Sequence, residues 1–193
     1  MMLALISGFI IGSLPTADMI GRLRGIDLRT AGSRNPGSAN ALRVIGRGAA
    51  ITILVLDLAK GAAATVLGLT IGGDATGVAA AVAAVAGQVL NPWFGFRGGK
   101  GLGVTAGAAL VLWPVGVAVV LPTFALGAVA YRASVGAIVG LFALFGLSML
   151  WASQNWTTAW GIQPDDTLVW FTIGVGVLTL PKFVGDLTER FET

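Results

Sequence analysis

Long apolar stretches alternate along this chain with short polar stretches that are rich in glycine and arginine. A helix that crosses a bilayer needs about 20 mostly apolar residues. The pattern therefore predicts about seven membrane spans, at about Met2–Gly21, Gly48–Ile71, Thr76–Phe96, Leu102–Trp113, Val115–Tyr131, Ala133–Trp151 and Thr167–Leu180. A short turn, Gly72-Gly73-Asp74, separates the second span from the third, and Pro114 ends the short fourth span.

Composition supports the same class. Hydrophobic residues make up 55% of the 193 residues and charged residues 11%, whereas a soluble domain carries roughly 25% charged residues. Mean hydropathy is +0.86. We therefore predict an all-α integral membrane protein with one membrane-embedded domain over residues 1–193. The net charge of +3 is too small to favour a nucleic-acid partner.

Two residue types are missing from the chain. Without cysteine there is no disulfide, no thiolate metal site and no thioester acyl-enzyme. Without histidine the chain lacks the commonest general base and the commonest metal ligand. The carboxylates are few and scattered, so we expect neither a metal site nor a cofactor.

The distribution of positive charge predicts the orientation, because cytoplasmic loops of membrane proteins carry an excess of lysine and arginine. With seven spans the basic residues fall on one side, namely Arg22, Arg24, Arg29, Arg34, Arg43, Arg47, Arg97, Lys100, Arg132, Lys182 and Arg190. The opposite loops contain Asp74, Asp165 and Asp166. We expect the N-terminus outside, the C-terminus inside and the candidate site loops on the cytosolic side. Trp151, Trp156 and Trp160 are then interpreted as an outer interfacial belt.

The first basic loop, Arg22–Arg47, contains Gly32-Ser33-Arg34-Asn35-Pro36-Gly37-Ser38-Ala39-Asn40 followed by Arg43. The glycines Gly32 and Gly37 permit positive φ and close approach of the backbone. Ser33 and Asn35 supply side-chain donors beside them. The planar guanidinium of Arg43 can bind a phosphate through two parallel N–H groups. The loop therefore predicts an anion site. The alternative is an ordinary basic loop on anionic lipid, which we favour for Arg22 and Arg24.

Charged residues also occur inside two apolar stretches. Asp57 and Lys60 are three positions apart and share one helix face, where they can pair. Charges within a membrane face the protein interior or a cavity. A structural ion pair and a ligand contact both remain open for this pair. We expect Asp18 in the first span to neutralise one of the cations.

The second basic loop is Arg97-Gly98-Gly99-Lys100-Gly101. Three glycines free its backbone to wrap an anion, and Lys100 supplies a point charge. Leu102 follows where a P-loop would need serine or threonine, so this loop is not a P-loop. The alternative is a tight turn with ordinary cytosolic charges.

These motifs, in this order, resemble the bacterial acyl-phosphate:glycerol-3-phosphate acyltransferases. The resemblance is close over about residues 10–110 and rests on Gly12-Ser13, on Asp27-Leu28-Arg29, on the glycine-rich segment of the first basic loop, on Asp57-Leu58-Ala59-Lys60-Gly61 and on Phe94–Gly101. It implies a seven-span enzyme of the bacterial cytoplasmic membrane that makes lysophosphatidic acid from acyl phosphate and glycerol 3-phosphate, with membrane lipid as its surroundings.

The resemblance also implies roles for residues. Ser33, Arg43 and Lys100 are the catalytic residues expected to bind phosphate groups. The wider phosphate-binding set is Asn35, Gly37, Asn40, Lys60, Arg97, Gly98, Gly99 and Gly101. Of these, Asn35 and Asn40 are expected to shape the first basic loop, and Lys60 is the weaker candidate. Acyl phosphate is already an activated mixed anhydride, so the enzyme mainly orients the reactants and neutralises charge. A phosphate oxygen of the substrate can accept the hydroxyl proton.

The chain departs from the family pattern at two places. It has Gly87-Gln88 where the family commonly has Gly-His, and its last span ends in a segment without the family's histidine and asparagine, where Lys182 or Asp186 can substitute.

Two alternative functions follow. One is a non-catalytic or differently specific paralogue that binds a phosphorylated metabolite or lipid head group, and the other is a small transporter. The transporter lacks the paired broken helices expected of it. Glycine-rich faces such as Gly103/Gly107 and Gly136/Gly140 fit helix packing within one chain or between chains, so the oligomeric state stays open.

Overall fold

The computed structural model describes residues 1–130, 133–154, 160–162 and 165–188. Regular structure in these residues is helical throughout. The elements are α1 (Met2–Ser13), α2 (Thr16–Leu23), α3 (Ser38–Val44), α4 (Arg47–Val89), a 3-10 turn (Pro92–Phe94), α5 (Leu102–Leu112), α6 (Pro114–Ala130), α7 (Ala133–Gln154) and α8 (Asp166–Thr188). The predicted all-α class is confirmed.

The first predicted span is two helices, not one. α1 ends at Ser13, and Leu14 adopts φ −54°, ψ 124°, outside the helical region. Pro15 explains the break, because proline disfavours a helical conformation in the residue before it and has no N–H to donate. The predicted span over about Met2–Gly21 is therefore interrupted by a break, although Met2–Leu23 as a whole is long and apolar enough to cross a membrane. The break leaves the Leu14 carbonyl oxygen outside regular helix pairing, where it accepts from the Thr16 N–H and from Lys60 Nζ.

α4 turns back on itself near its middle. Gly72 (φ −163°, ψ 28°) and Gly73 (φ 74°, ψ −163°) leave the helical region, at the turn that the sequence predicts. The two arms of α4, residues 47–71 and 74–89, then pack against each other. A Cβ on Gly68 of the first arm would lie only 2.6 Å from the Cβ of Ala80 in the second arm. This turn brings Lys60 of the first arm into hydrogen-bond contact with Gln88 of the second.

Glycine sets the close packing of the helices on these two arms. A Cβ on Gly12 of α1 would lie 1.9 Å from the Ala84 carbonyl oxygen, and one on Gly107 of α5 would lie 2.0 Å from the Leu58 carbonyl oxygen. Only a residue without a side chain allows two backbones to approach this closely in lipid. α1 thus covers the second arm of α4, and α5 covers the first. The close helix packing that the spacing of Gly103 and Gly107 predicts is present, and here it lies within the chain.

The larger of the two buried apolar clusters takes most of its bulky side chains from the second half of the chain. Phe171 and Val175 of α8 are buried in a cluster with Val85, Val104 and other residues of α4, α5 and α7. Ser148 Oγ and Thr172 Oγ1 lie 3.1 Å apart and join α7 to α8. α8 therefore rests on both α7 and the second arm of α4, and this packing fixes the position of its last turn.

The tryptophans predicted to form an interfacial belt have different surroundings. Trp151 is buried against Trp113, with ring centroids 5.5 Å apart in an edge-to-face arrangement. The prediction for Trp151 is wrong because its ring belongs to the protein core. Trp160 is exposed, and Trp156 lies outside the described residues.

Four helical stretches in the described residues are long and apolar enough to cross a membrane: Met2–Leu23, Arg47–Phe94, Ala133–Gln154 and Asp166–Thr188. The second of these is 48 residues long and folds back at Gly73. Leu102–Leu112 and Pro114–Gly127 are shorter apolar helices. Lipid is the natural solvent for the many large apolar side chains that remain exposed on these helices.

Candidate functional site

One pocket of about 450 Å³ collects polar side chains from five parts of the chain. Its volume lies in the range of small-ligand sites. The lining residues are Ser33, Asn35, Pro36, Gly37, Ser38, Ala39, Asn40 and Arg43 from the first basic loop, Asp57 and Gln88 from the arms of α4, Lys100, Gly101, Leu102 and Gly103 around the start of α5, Phe124 from α6, and Ala133, Ser134, Phe183, Asp186 and Leu187 from α7 and α8.

Asn40 holds the first basic loop in shape. Its Nδ2 donates to the carbonyl oxygens of Leu28 (2.9 Å) and Ala31 (3.0 Å), and its Oδ1 accepts from the Ser33 N–H (2.8 Å). The side chain is 1% exposed. These bonds use both amide hydrogens, so Asn40 lines the pocket as the support of Ser33.

The two glycines of this loop differ. Gly32 has φ +60°, and a Cβ there would lie 2.4 Å from Asn40 Oδ1, so the position needs glycine for its conformation and for space. Gly37 has φ −160°, an extended conformation open to any residue. Both glycines permit positive φ, but Gly32 adopts it and Gly37 does not.

Arg29 connects the first basic loop to the 3-10 turn. Its guanidinium donates to both carboxylate oxygens of Asp27 at 3.1 Å, lies 3.6 Å from Asp18 and stacks 4.6 Å from the centre of the Phe94 ring. The hydrogen bonds from Arg29 lower the pKa of Asp27 below its ordinary value. Asp18 also pairs with Arg22 at 2.7 Å, so its predicted role in neutralising a cation is confirmed.

The glycines of the second basic loop serve packing. A Cβ on Gly98 would lie 2.0 Å from the Gln88 carbonyl oxygen, and one on Gly99 would lie 3.0 Å from the Pro36 carbonyl oxygen. The loop is thus pressed between the end of α4 and the first basic loop. Gly101 has φ +81° and precedes the first residue of α5.

Lys100 of this loop lines the pocket and contacts α8. Its Nζ forms an ion pair with Asp186 and lies 5.0 Å from the centre of the Phe183 ring. The same Asp186 oxygen accepts from Ser134 Oγ at 2.8 Å. Lys182, one turn earlier on α8, donates to the Gly98 carbonyl oxygen at 3.4 Å. Loop and helix therefore fix each other.

A buried polar network lies behind the pocket. Lys60 Nζ contacts Asp57 Oδ1 (2.8 Å), Gln88 Oε1 (2.7 Å) and, at the break of the first span, the Leu14 carbonyl oxygen (3.1 Å) and Thr16 Oγ1 (3.2 Å). Lys60 and Asp57 are 5% and 6% exposed. Pairing and full hydrogen bonding are what make buried charges tolerable. The predicted ion pair is present, and the network fastens the first span to both arms of α4.

The predicted site residues divide into two groups. Ser33, Asn35, Gly37, Asn40, Arg43, Lys100 and Gly101 line the pocket, whereas Lys60, Arg97, Gly98 and Gly99 do not. Arg97 is exposed, and the other three are enclosed by protein. The pocket also includes Gln88 and Ser134, which the predicted set lacks, and Asp57, for which a ligand contact is left open above. Asp186, named above with Lys182 as a substitute for missing family residues, lines the pocket as well.

The lining chemistry suits an anion that also carries hydroxyl groups. Arg43 and Lys100 face the pocket from two different loops, and Arg43 forms no ion pair within the described residues. Asp57 and Asp186 supply acceptors for hydroxyls. In the described part of the chain no three His, Cys, Asp or Glu side chains group as a metal site requires.

Sequence comparison places this arrangement in a known context. The family described as glycerol-3-phosphate acyltransferase matches residues 2–189. Glycerol-3-phosphate acyltransferase 1 of Deinococcus radiodurans is 34% identical over 174 residues, covering 88% of this chain and 86% of that protein. A glycerol-3-phosphate acyltransferase of Synechococcus sp. (strain JA-3-3Ab) is 44% identical over 119 residues, which cover 61% of this chain and 59% of the relative's length.

Solved structures show the same fold. The crystal structure of PlsY (YgiH), an integral membrane glycerol 3-phosphate acyltransferase, in its glycerol 3-phosphate form aligns with a TM-score of 0.84 at 21% identity, covering 99% of this chain and 92% of that one. The lysophosphatidic acid form aligns with a TM-score of 0.81 at 19% identity.

Proposed function

Because this chain belongs to the glycerol-3-phosphate acyltransferase family, we propose that it transfers the acyl group of an acyl phosphate to a hydroxyl of glycerol 3-phosphate. The products are lysophosphatidic acid and inorganic phosphate. One observation carries the proposal: Arg43 and Lys100, 57 residues apart in the sequence, line the same pocket together with Ser33.

Binding and orientation account for most of the proposed catalysis. The anhydride is already activated, so holding the hydroxyl against its carbonyl carbon removes the entropic part of the barrier. Ser33, Arg43 and Lys100 are the catalytic residues of the proposal, and they neutralise the phosphate charges of donor and acceptor. A hydrogen bond to a charged group contributes about 1.5–3 kcal/mol.

The remaining residues receive roles from their positions. Asn35, Gly37 and Gly101 line the pocket and contact the substrate. Asn40, Gly98 and Gly99 build the two loops that present Ser33 and Lys100. Lys60 acts from behind the pocket through Asp57, and Arg97 lies on the exposed rim, where it faces anionic head groups. No cofactor enters the proposed reaction.

The proposed membrane arrangement is a single domain over residues 1–193 with seven spans. Counting the arms of α4 separately, α1–α2, these two arms, α5, α6, α7 and α8 supply the seven. With the N-terminus outside and the C-terminus inside, the pocket opens at the cytosolic side of the bacterial cytoplasmic membrane. The arginines of the first basic loop then follow the positive-inside rule. Acyl phosphate arrives from the surrounding lipid and glycerol 3-phosphate from the cytosol.

An assay with purified protein in lipid nanodiscs tests the proposal. Wild-type protein is supplied with palmitoyl phosphate and radiolabelled glycerol 3-phosphate, and lysophosphatidic acid is measured. We expect product from the wild type and a loss of about 10- to 100-fold in Lys100→Ala and Arg43→Ala, since each removes a charged phosphate contact worth about 1.5–3 kcal/mol.

Arg24→Ala is the matched control. Arg24 is an exposed arginine of the same first basic loop but does not line the pocket, so its activity stays close to that of the wild type. Folded wild-type protein that yields no product overturns the proposed activity. If glycerol 3-phosphate still raises its thermal midpoint through Arg43 and Lys100, the chain is a binding paralogue instead.

A further inference from the structure

Asp186 places a carboxylate in the pocket from the last turn of α8. Its Oδ2 accepts from Ser134 Oγ at 2.8 Å and also from Lys100 Nζ. These two contacts join α7, α8 and the second basic loop at one oxygen. The side chain keeps 40% of its surface exposed, so the carboxylate is both held in place and accessible.

In the proposed acyl transfer the hydroxyl proton passes either to a phosphate oxygen of the substrate, as the family resemblance implies, or to a basic group of the protein. The chain has no histidine, and the carboxylates that line the described pocket are Asp57 and Asp186. Asp57 is 6% exposed, and its Oδ1 is occupied by Lys60 at 2.8 Å and Thr16 at 3.1 Å. Asp186 is therefore the more accessible of the two, and it touches the lysine proposed to bind phosphate.

We propose that Asp186 accepts the proton of the attacking hydroxyl, an inference that rests on the function proposed above. The hydroxyl oxygen of glycerol 3-phosphate forms a bond to the acyl carbonyl carbon while its proton passes to the Asp186 carboxylate. The bond between that carbon and the phosphate oxygen breaks, and the phosphate leaves with the electron pair. Asp186 then gives the proton to the departing phosphate, which leaves as hydrogen phosphate.

Lys100 positions this exchange. An ammonium has three hydrogens, so Lys100 can hold a phosphate oxygen of the anhydride while it stays beside Asp186. The Phe183 ring, 5.0 Å from Nζ, limits its movement. A phosphate bound to Lys100 is thereby kept next to the carboxylate that removes and returns the proton. The hydrogen bond from Ser134 Oγ keeps the Asp186 carboxylate turned toward the pocket when a phosphate oxygen also accepts a hydrogen bond from the Lys100 ammonium.

Asp186→Asn tests the inference, because asparagine keeps the size of the side chain but is a far weaker proton acceptor. We expect the turnover number to fall about 100-fold or more, the lower end of general-base effects. The KM for glycerol 3-phosphate, and the rise in thermal midpoint that glycerol 3-phosphate causes, stay close to wild type or improve, since a carboxylate that competes for Lys100 is gone. Asp186→Glu restores part of the turnover.

Asp165→Asn is the control, since Asp165 is an exposed carboxylate beside the other end of α8. If Asp186→Asn keeps its turnover within about threefold of wild type, the substrate's own phosphate accepts the proton and the inference is overturned. It is also overturned if Asp186→Asn and Asp186→Glu both lose the stabilisation by glycerol 3-phosphate, because Asp186 is then only a support for Lys100. A wild type that makes no product removes the proposed function itself, and the inference with it.

Discussion

Replacement of Asn40 by alanine separates support of the site from contact with substrate. The change removes three hydrogen bonds of 2.8, 2.9 and 3.0 Å, and it leaves two carbonyl oxygens and one N–H of the first basic loop without these partners. Each bond contributes about 1 kcal/mol net, so the substrate-binding conformation of the loop is disfavoured by about 3 kcal/mol. The helices of the core do not depend on this side chain.

A protein whose binding-competent loop is less populated binds its ligand more weakly by the same factor. A cost of about 3 kcal/mol corresponds to about a 100-fold increase in the apparent Kd. The KM for glycerol 3-phosphate in nanodiscs and the thermal shift on adding it measure this increase, and circular dichroism reports the helix content, which should not change.

Thr30→Ala is the matched control for Asn40→Ala. Thr30 lies in the same loop, is exposed and makes a single hydroxyl contact of 3.2 Å with the Asp27 carbonyl oxygen. We expect its KM to equal that of the wild type. An Asn40→Ala protein whose KM stays within about threefold of wild type would refute the reasoning, since the loop would then hold its shape without the amide.

Two further predictions concern the stability of the folded protein. Gly107→Ala should lower the thermal midpoint, because the new Cβ would lie 2.0 Å from the Leu58 carbonyl oxygen and overpacking costs about 1–3 kcal/mol. The control is Gly146→Ala, whose new Cβ meets nothing within 4 Å and should not lower the midpoint. Equal midpoints in the two variants would contradict the packing described. Lys60→Met should lower the free energy of unfolding by about 3–5 kcal/mol, because it leaves the buried Asp57 carboxylate without its cation; unfolding in denaturant measures the change. Adding Asp57→Asn should recover part of the lost stability. If it recovers none, the broken ion pair is not the cause.

Local signals explain what the sequence predicts well. The apolar stretches, the turn at Gly72–Gly73 and the two basic loops each depend on a few neighbouring residues, and the structure has all of them. The packing role of Gly107 also follows from short-range spacing. The break at Pro15 was missed because apolar residues continue on both sides of it and hydropathy ignores the missing N–H.

Long-range contacts explain what the sequence does not predict. Lys100 and Asp186 are 86 residues apart, and no pattern in either segment predicts that they pair. Asn40 was expected both to bind phosphate and to shape the loop, and its two donated hydrogen bonds show the second role. Lys60 likewise has the charge expected of a ligand contact, and only the positions of Gln88 and Leu14 show that the protein itself surrounds it.

The pocket draws its walls from residue 33 through residue 187, with a consequence for biogenesis. Ribosomes deliver the first basic loop early, yet the wall that carries Asp186 follows only when α8 has been inserted and has settled against α7. A nascent chain halted after α7 has both basic loops and lacks one side of the cavity. The cavity is therefore complete only when synthesis of the described chain has reached α8.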